Sequence, residues 1–335
     1  MAKLLFLLLA AFMALVSGLP ALQNPLAAPV KVASPGVVTP LPPQYFQSFG
    51  SQKVQITFGP FTVGNESPNG IYVKELPDAT KPCTGSCYIY THRAVLTYVN
   101  GTEAHINTGS MLKRSFISTN GRKDSVCTSQ NEIAFLSANE RLTYDLSRNG
   151  TATLGYLLPD ASMDIYTEIL NYNAAAEQYN LVLEFEFVPS TAAGFRHLTP
   201  YYLDSSGVCG PGMLTAPPNT PIFDTTMPGT YALPKSGLVW AVGGHLEDGG
   251  INLQLTGNGA TLCASKAGYG ETPSYVDFAG TPRISSMGLC FDVGNQTAGD
   301  QWSITGHYDL TQHPALPFGN NPAPVVAAIE AFVLH

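Results

Sequence analysis

Short runs rich in Val, Ile, Tyr, Phe and Thr recur along the chain from residue 54 onward, each closed by Gly, Asn or Pro. They fall at 54–58, 87–99, 115–118 and 181–188, then again at 238–243, 251–256, 260–264, 302–308 and 325–334. Runs of this length, built from β-branched and aromatic residues between turn formers, read as strands. The pattern is clearest where Leu181, Leu183, Phe185 and Phe187 alternate with residues that include Glu184 and Glu186, which predicts a strand apolar on one face and polar on the other. Helical periodicity is nearly absent, the best stretch being 174–178. The expected fold class is therefore all-β. A connector dense in Pro and Gly follows Pro189, and no internal repeat of propeller or solenoid period occurs. Two tandem β-sandwich or jelly-roll domains, over 51–190 and 191–335, are the economical reading, because double-sheet packing hides strand edges.

The N-terminus sets the compartment. Lys3 precedes an uncharged apolar run over 4–16 that ends in the small residues Ser17 and Gly18. A membrane-spanning helix needs about 20 apolar residues, so 1–18 reads as a signal peptide and the chain as secreted. The next stretch, 19–50, holds seven prolines and no periodicity, and reads as an extended, poorly ordered leader. In an oxidising compartment the six cysteines, Cys83, Cys87, Cys127, Cys209, Cys263 and Cys290, read as disulfides. Cys263 is expected to pair with Cys290, since both lie late in the second half on candidate strands. Cys83-x-x-x-Cys87 lacks a second Cys/His pair at zinc spacing, which favours a disulfide there too. Asn-x-Ser/Thr sequons at Asn65, Asn100, Asn149 and Asn295 mark candidate glycosylated surface loops.

Without the first 18 residues, 15 basic residues face 24 acidic ones, and no Lys/Arg cluster exists. Phosphate-rich partners need a basic surface, so nucleic acid and anionic membranes are excluded as expected partners. A small-molecule substrate or ligand remains. No phosphate-binding Gly loop, Gly-x-Ser-x-Gly elbow or His-Glu-x-x-His helix occurs, so the common nucleotide, hydrolase and zinc-protease readings lack support.

The most informative segment is Gly243-Gly-His-Leu-Glu-Asp-Gly-Gly250. On a strand, residues i and i+2 share a face, so His245 and Glu247 project together while Leu246 points the other way. The flanking glycines allow close approach or unusual backbone angles beside a site or a tight hairpin. One His and one carboxylate can form half of a metal site or an acid–base pair, and equally a turn with solvated acids and a hydrogen-bonded histidine. His307, on a strand-like run, fits a packed histidine as well as a ligand. His313 reads as a surface residue, His92 and His105 as exposed strand histidines, and His197 as part of the linker.

Several spaced blocks in one order carry a resemblance. These are the 243–250 string, Cys263 to Gly270, Arg283-Ile-Ser-Ser-Met287 with Cys290, Gly299 to Trp302, and His307-Tyr-Asp309 with His313. In the first half they are Asn107 to Arg114, Gly121 to Ser125 with Cys127, and Ser137-Ala-Asn-Glu-Arg141. Together they resemble a group of fungal secreted proteins, itself similar to the copper type II, ascorbate-dependent monooxygenases typified by peptidylglycine hydroxylating monooxygenase, and to a plant stress-induced nodulin-like family. The resemblance spans roughly 50–335. It implies two jelly-roll domains with one copper each, a His-x-His pair and a Met in the second and an adjacent His-His pair in the first. His245 matches the first histidine of the second site, Glu247 stands at the second, and Met287 matches the methionine, with His307 as a further metal-ligand candidate. Lys113 and Arg114 stand where the first site has its histidines, and cations cannot ordinarily bind copper. The resemblance thus implies at most one copper and no other cofactor, and chemistry on a small organic molecule such as a fungal secondary metabolite. The alternatives are a metal-free enzyme in which His245 and Glu247 act as acid and base while Lys113, Arg114 or Arg283 orient the substrate, and a ligand-binding pseudoenzyme.

Overall fold

The run at 181–188 lies in the strand Glu177–Pro189, which runs between Gln52–Val63 and Cys87–Tyr98 at the centre of one sheet. The computed structural model describes residues 34–65, 71–140, 143–210, 212–316 and 324–335. The signal-peptide reading and the leader up to residue 33 lie outside the described residues. The regular structure of the described part is strand, apart from three single-turn 3-10 segments, which makes the fold all-β.

Leu181, Leu183, Phe185 and Phe187 all point into the core. The opposite face departs from the simple alternation, because Glu186 is buried as well. Its carboxylate accepts hydrogen bonds from the Tyr90 hydroxyl at 2.8 Å and from the Gln44 and Tyr45 backbone amides at 2.5 and 2.9 Å. The cover is the Pro-rich segment itself. Part of the expected leader is ordered: Val37–Leu41 pairs with Gln52–Val63, and Phe46 enters an aromatic cluster with Tyr90 and Phe195. Proline is tolerated there because the segment is an edge strand. The stretch at 174–178 is a bend leading into Glu177–Pro189, not a helix.

In the first half this sheet continues through Leu154–Leu158 to Arg196–His197 and faces a second sheet ordered Tyr72–Ala79, Met163–Asn171, Ser110–Lys123, Asn131–Ala138. Leu112, Ile117, Phe135 and Ile165 from that sheet pack on Ile56, Leu183 and Phe185. In the second half, Thr199–Asp204, Ala327–Leu334, Gly237–Leu246 and Leu289–Gln296 form one sheet. The opposing sheet runs Ile222–Thr226, Gln301–Asp309, Gly250–Gly257, Ala260–Tyr269, Ile284–Met287. Strands up to His197 pair with one another, and so do strands from Thr199 onward. His197 is thus a sheet residue rather than a linker residue, and its Nδ1 accepts the Leu157 amide at 3.0 Å.

The halves share apolar contacts. Ala241, Phe332 and Leu334 belong to the first-half core, whereas Val239, Val242 and Val333 belong to the second. The sheet carrying Gly237–Leu246 and Ala327–Leu334 is therefore covered on both faces, which explains why the latter strand is buried throughout its length. Trp240 Nε1 donates to the Leu146 carbonyl at 2.7 Å across the same boundary.

Three disulfides are present, Cys83–Cys87, Cys127–Cys209 and Cys263–Cys290. No helix among the described residues is long and apolar enough to cross a membrane. Asn65, Asn100, Asn149 and Asn295 are all exposed.

Candidate functional site

Gly237–Leu246 enters the boundary between the halves with alternate residues on opposite faces. Leu246 packs in the second-half core, while His245 and Glu247 both reach toward the first half. Gly244 makes this approach feasible on the other face, since a Cβ there would stand 2.7 Å from Ser265 Oγ and 2.9 Å from Ser265 Cβ. Gly249, at φ +101, turns the chain immediately after the site.

Neither side chain pairs with the other. His245 Nδ1 lies 3.1 Å from both carboxylate oxygens of Glu140, so it donates to that carboxylate. Its Nε2 is buried and has no partner among the described residues. Glu247 Oε1 accepts a short hydrogen bond from the Lys113 ammonium, a salt bridge almost wholly out of solvent. Lys113 owes its position to a bulge in Ser110–Lys123: Leu112 pairs with Ile169 and Arg114 with Glu168, leaving Lys113 as the extra residue. Glu140 lies in the turn two residues past the strand Asn131–Ala138 and supplies the other first-half partner. The result is a buried quartet of two carboxylates, one ammonium and one imidazole.

Each group shifts the others. Burial alone lowers the affinity of the His245 imidazole for a proton, but the adjacent Glu140 outweighs it and raises the pKa. Burial alone would raise the Glu247 carboxyl, yet Lys113 and His245 hold it below the usual range. Asp248 differs from its neighbour: burial pushes it up to about 6, against the pull of Arg283 and of the hydrogen bond from the Ile284 amide. Its Oδ2 makes no hydrogen bond among the described residues. Glu247 and Asp248, with Lys113 and Tyr172, line a narrow cleft of about 20 Å³, room for roughly one water-sized group. Below about pH 6 the two adjacent carboxyls stand at opposite protonation states in one cleft, an arrangement in which one can give a proton and the other take one.

The other expected residues lie elsewhere. Arg283 does not reach Glu247; its Nε and Nη2 donate to Asp277 Oδ2 at 2.9 and 2.7 Å, and its Nη1 is 3.9 Å from Asp248. Met287 packs in the apolar core of the second half with Cys263 and Leu246. His307 lies on the face of Gln301–Asp309 opposite the buried Tyr308, where its Nδ1 meets Asp224 Oδ1 at 2.6 Å beside solvent. Strand alternation thus turns it outward, away from the core side that His245 and Glu247 share. His92 corrects the exposed reading: it is buried between the rings of Phe135 and Phe185, and burial lowers its pKa to about 3. Glu140 and Asp248 were not singled out from the sequence. Glu140 lies inside the block 137–141, but only the folded chain shows that this acid faces a histidine 105 residues away.

Two curated fungal proteins are similar in sequence. Probable copper-dependent oxygenase M1 of Phoma sp. is 25% identical over 284 residues, covering 84% of this chain and 72% of that protein. Probable copper-dependent oxygenase clz3 of Cochliobolus lunatus is 27% identical over 246 residues, covering 72% and 77%. No protein-family profile matches the chain. Among solved structures, PNGF-II aligns over 90% of this chain and 66% of its own at 11% identity, with a TM-score of 0.45.

Copper prefers several imidazole or sulfur donors converging on one point. Among the described residues no group of three or more His, Cys, Asp or Glu side chains converges in that way. His245 Nε2 is an open imidazole nitrogen, but Glu247 is engaged by Lys113 and the Met287 side chain packs in the apolar core. This donor set does not fit a copper centre.

Proposed function

We propose that this chain is a secreted protein, similar in sequence to probable oxygenases, that acts on a small organic molecule by proton transfer at the Glu247–Asp248 cleft, without copper. The observation that carries the reading is the Lys113–Glu247 ion pair. Lys113 and Glu247 stand at two places where the sequence resemblance expects copper-binding imidazoles, and here they neutralise each other. Glu247, held ionised, is the base; Asp248, held protonated up to about pH 6, is the acid. The Glu140–His245 pair behind them keeps positive charge beside Glu247 and so holds it ionised. Secretion is supported by the apolar N-terminal run, the three disulfides and the exposed sequons.

Metal analysis of protein secreted with copper supplied tests the reading. The expected result is substoichiometric copper in both the natural chain and His245→Ala. One equivalent of copper in the natural chain, lost in His245→Ala, would overturn it in favour of a single centre at the open Nε2.

A further inference from the structure

A second cavity carries chemistry that the Glu247–Asp248 cleft does not use. An open cleft of about 640 Å³ lies where Ser110–Lys123 and Asn131–Ala138 meet the chain that follows Thr199–Asp204. Sites for small molecules commonly enclose roughly 300–1,000 Å³. Among the described residues that line it, Arg114 is the one that carries a charge. Glu168 holds the guanidinium through Nη2, at 2.8 Å. The guanidinium also lies over the Phe116 ring, 5.6 Å from its centre. The Tyr202 ring meets Phe116 edge-on at 5.7 Å, and Tyr166 stands 6.1 Å from it, so the wall beside the cation is aromatic.

Gly212, at φ +74, lines the cleft beside the guanidinium, and a Cβ there would come within 3.1 Å of Arg114 Nη1. The glycine lets the backbone stand close to that nitrogen, and Asp204 Oδ2 lies 3.5 Å from the same point, so a ligand oxygen reaches Nη1 from the open side of the cleft. A cation fixed by one partner, with a second nitrogen facing a cavity and rings beside it, suits a planar anion.

We propose that this cleft binds a small aromatic carboxylate, its ring against Phe116, Tyr166 and Tyr202 and its carboxylate on Arg114 Nη1. A neutral aromatic would lack the charge-assisted hydrogen bond, and an aliphatic acid would lack the ring contacts. The inference stands apart from the acid–base reading, because neither Glu247 nor Asp248 lines this cavity.

Benzoate, benzamide and acetate are the probes, with binding read by calorimetry and saturation-transfer NMR on the full chain. Benzoate is expected to bind about tenfold or more tighter than benzamide and acetate, as one charged hydrogen bond allows. Arg114→Gln should bring benzoate down to the level of benzamide. That substitution removes the cationic partner of the buried Glu168, which keeps only the hydrogen bond from the Tyr166 hydroxyl at 2.6 Å, so its fold is checked by circular dichroism. Gln130→Trp, at an exposed lining residue, fills the cleft without touching the buried pair and should abolish benzoate binding. Equal affinity for benzoate and benzamide, or benzoate binding by Gln130→Trp at the level of the natural chain, would overturn the assignment.

Discussion

Lys113 and Glu247 are each almost fully buried, so each is tolerable only while the other is present. Removing one partner of such a pair costs about 3–5 kcal/mol, since the remaining charge has no solvent to turn to. Lys113→Met should therefore destabilise strongly in urea unfolding, and Glu247→Gln on top of it should recover much of the loss. Additive losses in the double variant would mean the two charges do not depend on each other. Asp248 gives a pH signature of defined sign. Its folded pKa of about 6 lies above the ordinary carboxylate value, so the native state holds the extra proton. Stability from this group is full below about pH 4 and is lost as pH rises through 6, by roughly 3 kcal/mol in total. Asp248→Asn keeps an acceptor for the Ile284 amide and has nothing to titrate. Its melting temperature should rise relative to the natural chain between pH 4 and 7, and parallel curves would refute the shift. These couplings also show why the site was only half legible. Period-two alternation placed His245 and Glu247 on one face, but their partners come from residues 105 and 134 positions earlier. No local pattern encodes such pairings.

At the level of strands, the sequence announced the elements better than their surroundings. Leu181, Leu183, Phe185 and Phe187 face the core as the alternation requires, because burying one face of a pleat needs only local order. Glu186 and His92 are both buried, one beneath residues 44–46 and the other between two phenylalanine rings, and each depends on chain far away in sequence. Prolines at 40, 42 and 43 suggested disorder, yet an edge strand needs few of its amides, so Val37–Leu41 pairs without penalty. Packing between sheets yields a prediction at Gly244. An added methyl would be driven into Ser265, whose hydroxyl is committed to the Gly288 carbonyl at 2.7 Å. Gly244→Ala should cost about 1–3 kcal/mol through overpacking. It should also disturb the Lys113–Glu247 pair, since the strand that delivers Glu247 must shift. Thermal unfolding together with a repeat of the Lys113→Met/Glu247→Gln cycle in this background checks both. An unchanged coupling would show that the glycine matters for packing alone.

Across the whole molecule, the two groups of sheets are not independent bodies. Ala327–Leu334 is buried along its full length because one of its faces belongs to each core, and Phe332 touches Phe135 across the boundary with ring centres 5.9 Å apart. A unit built this way should unfold in a single transition, since exposing either core uncovers the shared sheet. Cys127–Cys209 reinforces it by tying a first-half loop to a second-half loop over 82 residues of chain. The entropy that a crosslink removes from the unfolded chain grows with the loop it closes. On that basis Cys127–Cys209 contributes about 4.5 kcal/mol and the five-residue Cys83–Cys87 link about 2 kcal/mol. Replacing Cys127 and Cys209 with Ala should therefore lower the urea midpoint more than replacing Cys83 and Cys87, in both cases with one cooperative transition. Two separated transitions in the Cys127→Ala/Cys209→Ala chain would mean that the disulfide, rather than the shared sheet, couples the halves, and that the buried quartet at their boundary is held together from outside.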